Sequence, residues 1–292
     1  MNQLHDAEMV QPAPWQVTWD NWAEPPGLRW SFLHLDEVLA TKSIPASRWP
    51  VSLGVKQMPI LDVVTPRYDV TARIVDHTSV DQLLADSFTD GFLVMHHGQI
   101  VTEWYAASML PSTRHLLMSV TKTVVGIVAC ALVEDGVLSL HDRVEAIIPA
   151  LADSGFAGAT VRDVLDMRTG VRFNETYHDP DADVYLMEHA CGWRSPREDV
   201  PNSLREFLAQ LPRDEAHGGR FRYRSSETNV LSWICEVASG KDLATLIHEW
   251  IWDPIGAEFS AHITVDSTGV AIGDGGHSAT LRDVSRLADM LA

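Results

Sequence analysis

The sequence predicts an α+β fold with a mainly helical lobe, and two observations carry that prediction. Two apolar, β-prone runs, Phe92-Leu93-Val94-Met95-His96-His97 and Ile100-Val101-Thr102-Glu103-Trp104-Tyr105, enclose Gly98-Gln99 and read as a hairpin over residues 92–106. From Ser119 onward apolar residues recur at helical rather than alternating spacing, which gives a helical lobe over about 119–292. With 46% hydrophobic residues in 292, the chain has material for one large core or two closely packed lobes.

In chain order, residues 1–66 carry Pro12, Pro14, Pro25, Pro26, Pro45, Pro50, Pro59 and Pro66, which interrupt regular elements and predict an irregular segment. Its Trp15, Trp19, Trp22 and Trp30 call for apolar cover, so the segment is expected to pack on the body formed by residues 67–292. Residues 68–75 alternate weakly and suggest a strand, and Val80, Leu83 and Leu84 mark a short helix starting from Thr78. After Ser119, Val124, Val125, Ile127, Val128, Cys130, Ala131, Leu132 and Val133 leave almost no polar face before Gly136, a natural C-terminal cap. Such a helix is buried. Thr160-x-x-Asp163 and Ser203-x-x-Glu206 signal helix starts ahead of Val161 and Leu204. Ser226 precedes Val230, Leu231, Ile234 and Val237, a pattern that stops at Gly240, and Leu243, Leu246, Ile247 and Trp250 form another set before Pro254. Thr280-x-x-Asp283 opens the last helix, through Leu281, Val284, Leu287, Met290 and Leu291. A lone hairpin is marginally stable. Either the fold is mainly helical, or the hairpin's sheet is completed by strands outside these 292 residues.

Charge excludes some partners. The net charge of −18, from 22 basic and 40 acidic residues, disfavours nucleic acid and anionic membranes, and it suits a cationic substrate. Residues 1–30 have neither the basic nor the apolar region of a signal peptide, and no apolar run reaches the ~18 residues of a membrane span. Cys130 and Cys235 lie in apolar helical patterns and read as buried thiols of a reducing compartment, so the expected location is the cytoplasm. No metal or other cofactor is expected. The 13 histidines form no His-Glu-x-x-His, and adjacent His96 and His97 would point to opposite faces of a strand. Asp179-x-Asp181-x-Asp183 starts like a calcium loop, but Val184 and Ala190 replace the glycine and glutamate that the loop needs. There is no Gly-x-Ser-x-Gly elbow, and Gly240-Lys241 lacks the upstream glycine of a phosphate loop.

The chemistry is concentrated at Ser119-Val120-Thr121-Lys122. Side chains at i and i+3 of a helix share a face, so the Lys122 amine could reach the Ser119 hydroxyl and take its proton. A lysine at the head of a buried helix also needs a partner or a lowered pKa. A third group must protonate the leaving atom, and Tyr223 is the candidate. It lies in Phe221-Arg222-Tyr223-Arg224-Ser225, just ahead of a helix whose N-terminal dipole favours negative charge on the phenol.

At these residues the chain resembles the penicillin-recognising serine hydrolases, whose Ser-x-x-Lys and Tyr-x-Asn elements match Ser119-x-x-Lys122 and Tyr223-x-Ser225. Trp22-Ala23-Glu24-Pro25-Pro26, His115-Leu116-Leu117-Met118-Ser119-Val120, Gly192-Trp193-Arg194, Ile263-Thr264-Val265-Asp266 and Gly275-Gly276 are similar to the 6-aminohexanoate-dimer hydrolase branch, which cleaves linear nylon oligomers. The resemblance implies a β-lactamase/transpeptidase-like fold, an antiparallel sheet flanked by helices plus the helical lobe. It also implies Ser119 as nucleophile, Lys122 as general base, Tyr223 as proton donor, and an oxyanion held by the Ser119 N–H and one from a later strand. Tyr177, Glu188, Asp274 and Ser225 are implied to line the substrate pocket, with Glu188 facing a substrate ammonium. Ser225 and Asp274 stand where the pattern has Asn, and Arg194 where a histidine can occur. The family's third motif, a Lys-Thr-Gly or His-x-Gly strand, is expected beyond residue 292. The implied activity is hydrolysis of a small-molecule amide or short-chain ester through an acyl-enzyme. A catalytically impaired or binding-only homologue, a carboxylesterase and a D-amino peptidase are the alternatives, and a homodimer is compatible with all of them.

Overall fold

The computed structural model of the chain describes residues 16–69 and 71–292; Pro12, Pro14 and Trp15 lie outside them. Among the described residues nine strands form: β1 Thr41–Ile44, β2 Gly54–Val55, β3 Val64–Tyr68, β4 Ile74–Ser79, β5 Gly91–His96, β6 Gln99–Tyr105, β7 Arg114–Leu116, β8 Ala261–Thr264 and β9 His277–Thr280. They form three sheets. The largest is antiparallel, in the order β1-β8-β9-β7, with Ile44 opposite Ala261, His262 opposite Ser278 and Leu116 opposite Ser278 on the other side. The predicted hairpin is β5–β6, joined by parallel β2 into a sheet of order β2-β6-β5. β3 and β4 pair as a separate ribbon.

This arrangement corrects several expectations. The hairpin is accompanied by a second, four-stranded sheet, and the region expected to be helical contains β8 and β9. Every residue of those two strands is buried, so Ala261-His262-Ile263-Thr264 and His277-Ser278-Ala279-Thr280 carry none of the alternation of a half-exposed strand. The described part of the 1–66 segment is less irregular than its prolines suggest, since it contributes β1 and β2 and begins β3. Of the strand expected over 68–75, Tyr68 is the end of β3 and Ile74 and Val75 are the start of β4, so the prediction falls across two strands rather than on one. His97 takes φ +50° and Gly98 φ +71°, the left-handed pair of a tight hairpin turn. That turn swings His97 round so that its ring lies 4.0 Å from that of His96, rather than on the opposite face. Cys130 is exposed; Cys191 and Cys235 are the buried thiols.

The helices fall close to their predicted starts. Thr160 and Asp163 make the reciprocal capping box of the Val161–Leu165 helix. Ser203 caps Leu204–Gln210 through the Glu206 N–H, and Thr280 caps Leu281–Leu291 through the Asp283 N–H. The helix after Ser119 runs Thr121–Glu134 and packs against Ser225–Ser239, which ends on Gly240 at φ +69°. Val124, Val125, Val128 and Leu132 are buried against Val230, Ile234 and Cys235 in one core that also takes in Leu35, Ile44 and Ile263. Trp22 shows how the N-terminal segment docks. It is 3% exposed, donates from Nε1 to the Trp193 carbonyl at 2.7 Å and meets the Trp193 ring edge-on at 5.4 Å. Trp30 is buried too, whereas Trp19 is exposed. Among the described residues no helix is long and apolar enough to cross a membrane, and no group of three or more His, Cys, Asp or Glu is placed to hold a metal ion.

Two glycines report opposite constraints. A Cβ on Gly276 would lie 2.2 Å from Thr264 Oγ1, which is itself held by Trp193 Nε1 at 3.0 Å. A Cβ on Gly126, inside the Thr121–Glu134 helix, meets nothing within 4 Å. Gly276→Ala is expected to lower the urea unfolding free energy by about 1–3 kcal/mol through overpacking. Gly126→Ala is expected to raise it by about 0.5–1 kcal/mol.

Buried histidines set an acid limit. Burial holds His262 and His277 in their neutral forms, at about 4 and about 3 against an ordinary 6.5. The unfolded chain therefore binds the extra protons, so stability is complete above pH 6.5 and drains as the pH falls towards 4. The loss amounts to about 2 kcal/mol per histidine at about pH 5. Denaturation of wild type and His277→Gln at pH 8 and pH 5 is expected to show the smaller loss in the variant.

Candidate active site

β7 leads through Leu117 into a tight turn, Met118–Val120, and then into the Thr121–Glu134 helix. β9 grips this turn from both sides. The Leu117 N–H donates to the His277 carbonyl at 2.8 Å, and the His277 N–H donates to Thr121 Oγ1 at 3.2 Å. Between those two anchors Met118 is forced to φ +45°, a strained conformation for a side chain of its size. The distortion lifts Ser119 out of the helix proper and leaves it exposed at the mouth of a cavity.

Three predicted residues converge on one oxygen. Lys122 Nζ donates to Ser119 Oγ at 3.0 Å, and Tyr223 Oη donates to the same atom at 2.8 Å. Lys122 is anchored behind by the Asp274 carbonyl at 2.7 Å, lies 4.0 Å from Asp274 Oδ2, and sits 5.1 Å from the centre of the Tyr223 ring. The partner that a lysine at this position needs is therefore the 274 backbone, with the phenol ring beside it. Tyr223 comes from the extended stretch that precedes the Ser225–Ser239 helix, where Arg224 occupies the N-cap.

The pocket residues are assembled around this centre. A cavity of about 60 Å³ is bounded by Ser119, Tyr177, Glu188, Trp193, Ser225 and Asp274. Burial raises the Asp274 carboxyl above its ordinary range, opposed by the charge of Lys122 and by a hydrogen bond from Asn229. Asn229 and Asp274 bond reciprocally: Nδ2 donates to Oδ1 at 2.9 Å, and the Asp274 N–H donates to Asn229 Oδ1 at 3.1 Å. Burial raises the Glu188 carboxyl as well, and Arg194 Nε, 2.5 Å away, opposes it. Glu188 thus has a cationic partner within the chain, and that arginine stacks on Tyr185 at 4.7 Å.

Two residues that the sequence reading missed hold the pocket's shape. Glu175 accepts from Tyr177 Oη at 2.7 Å, from Ser225 Oγ at 2.8 Å and from the Ser225 N–H at 2.7 Å. Burial, and then Glu175, push the Tyr177 phenol well above its ordinary value. Ser225, standing where the pattern has Asn, turns its hydroxyl to Glu175 rather than to Lys122. Asn229 was readable in principle as a polar residue four positions after Ser225 and hence on the same helix face. Glu175 had no local signal.

Residues 80–292 match the Beta-lactamase family model. The chain is 34% identical over 287 residues to the 6-aminohexanoate-dimer hydrolase of Paenarthrobacter ureafaciens, covering 98% of this chain and 70% of that one. A candidate 6-aminohexanoate-dimer hydrolase from Bacillus anthracis superposes with a TM-score of 0.88 at 27% identity, over 97% of this chain and 73% of its own. A candidate β-lactamase from Bacteroides dorei shares the fold alone, with a TM-score of 0.56 at 24% identity over 77% of this chain and 64% of its own. The chain is a hydrolase that belongs to the β-lactamase family, on its 6-aminohexanoate-dimer hydrolase branch.

Proposed function

We propose that this chain hydrolyses small linear amides bearing a free amino group, of the 6-aminohexanoate-dimer kind, through an acyl-enzyme on Ser119. The observation that carries the reading is the double contact on one atom: Ser119 Oγ lies within hydrogen-bonding distance of both Lys122 Nζ and Tyr223 Oη. Lys122 takes the Ser119 proton while Oγ bonds to the substrate carbonyl carbon, and the Ser119 N–H stabilises the oxyanion. As the carbon–nitrogen bond breaks, Tyr223 gives its phenolic proton to the departing nitrogen and recovers one from the Lys122 ammonium. Water then cleaves the ester by the reverse sequence of proton transfers.

The pocket supports a slender, amino-bearing acyl group. Its volume of about 60 Å³ suits a slender chain. Glu188 and Asp274 line it with carboxyl groups, Glu175 stands behind Ser225, and a substrate ammonium would share Glu188 with Arg194. Beyond Tyr177 a second recess of about 500 Å³, reaching Tyr185, Asp181 and Glu24, gives an elongated molecule room to continue.

Substitution separates these roles. Ser119→Ala and Lys122→Ala are each expected to lower kcat on 6-aminohexanoate dimer by about 10²–10⁴. Tyr223→Phe is expected to lower amide turnover by a similar factor but the rate of the p-nitrophenolate burst that marks acylation by p-nitrophenyl acetate by less than about tenfold, because nitrophenolate leaves without a proton. Equal activity of wild type and Ser119→Ala on every substrate would sink the reading. Glu188→Gln is expected to raise KM for the dimer about tenfold and to leave KM for p-nitrophenyl acetate unchanged; equal changes on both substrates would rule out the ammonium contact.

A further inference from the structure

Two charged side chains lie out of solvent directly behind Tyr223. Arg224 is 4% exposed and Glu227 0%, and Arg224 Nη1 donates to Glu227 Oε1 at 2.9 Å. Thr169 closes the cluster. Its hydroxyl donates to Glu227 Oε1 at 2.8 Å, and its carbonyl accepts from Arg224 Nη1 at 3.1 Å. Glu227 Oε2 is buried with no hydrogen-bond partner among the described residues. Burial pushes this carboxyl up to about 7 despite the arginine beside it.

Stability does not explain the pair. Removing two charges from water carries a desolvation penalty, and apolar residues of the same volume commonly serve a fold equally well or better. Its location offers a reason. Tyr223 is 43% exposed, with Ser119 and Lys122 as its polar and cationic contacts, so its aim depends on the backbone either side of it. On one side the Arg222 N–H is tied to the Met167 carbonyl at 3.0 Å. On the other, Arg224 is fastened to Thr169 and Glu227, and Ser225 to Glu175.

We infer that Glu227, acting through Arg224 and Thr169, is a positioning residue that holds the Tyr223 hydroxyl at the leaving-group side of Ser119, and so lets the enzyme expel poor leaving groups. The inference rests on the acyl-enzyme reading above. In that chemistry an amide nitrogen or an alkoxide departs only with the proton of Tyr223 Oη, whereas p-nitrophenolate departs as the anion. A displacement of the phenol by about 1 Å can cost about 100-fold in the first case and little in the second. The clamp therefore governs the dependence of rate on leaving-group basicity, which a general loosening of the fold would leave unchanged.

The test uses the full chain as wild type, Glu227→Gln, and the double apolar variant Arg224→Met/Glu227→Met, which supplies a folded control should the single change destabilise. Each is assayed with p-nitrophenyl acetate, ethyl acetate and 6-aminohexanoate dimer, and with a fluorophosphonate that acylates Ser119 without needing a protonated leaving group. For both variants, fluorophosphonate labelling and the p-nitrophenolate burst that marks acylation by p-nitrophenyl acetate are expected to stay within about threefold of wild type. Turnover of ethyl acetate and the dimer is expected to fall about 30- to 100-fold, in kcat with KM unchanged. If all substrates fall together, or none does, the clamp has no positioning role. If wild type itself takes no label, the acyl-enzyme reading fails first and the inference with it.

Discussion

The site depends on the hold that β9 has on the turn carrying Ser119. Two hydrogen bonds, Leu117 N–H to the His277 carbonyl and His277 N–H to Thr121 Oγ1, bracket the strained Met118. Neither would be available to a helix that simply began at Ser119. The bracket is buried, with His277 and Thr121 both at 0% exposure, so the strain cannot relax by exchanging protein partners for water. β9 in turn is positioned by close backbone approach. Gly276 has no room for a side chain against Thr264, and Thr264 is pinned by Trp193, onto which Trp22 docks. A chain of contacts thus runs from the N-terminal segment through β8 and β9 to the serine turn, and the double glycine is a steric requirement of that chain.

The second organising constraint is charge. Lys122 enters a pocket whose walls hold Asp274 and Glu188, with Glu175 just behind Ser225, and each carboxylate has a specific partner: Asn229, Arg194, and Tyr177 with Ser225. Burial alone would favour neutral carboxyls here, and for Asp274 and Glu188 it does raise them. These donors keep the acids ordered around the lysine.

Much of this was legible before any fold was known, for reasons that differ residue by residue. Ser119 and Lys122 are three apart, so helical periodicity alone predicts their contact, and caps such as Thr160 and Thr280 announce their helices locally. Tyr223 needed the adjacent helix start and the family resemblance, because it meets Ser119 across 104 positions. The strands of the larger sheet were invisible for a physical reason. They are three or four residues long, and β8 and β9 are buried throughout and rich in His, Ser and Thr, so neither hydrophobicity nor alternation marks them. Glu175 and Asn229 escaped for a different one. Glu175 meets Ser225 across 50 residues and Asn229 meets Asp274 across 45; the helix face shared with Ser225 hinted at Asn229, but nothing in a local window distinguishes an acid such as Glu175 that will orient a pocket from one that faces solvent.

The account stands or falls on a covalent bond to Ser119. The most direct measurement mixes the folded chain with p-nitrophenyl acetate, quenches in acid within the first turnover, and reads intact mass and the modified peptide. The account predicts one acetyl group, carried by Ser119 and lost in Ser119→Ala. A folded protein that turns over substrate with no adduct, or with the acetyl group on another residue in both proteins, would contradict it.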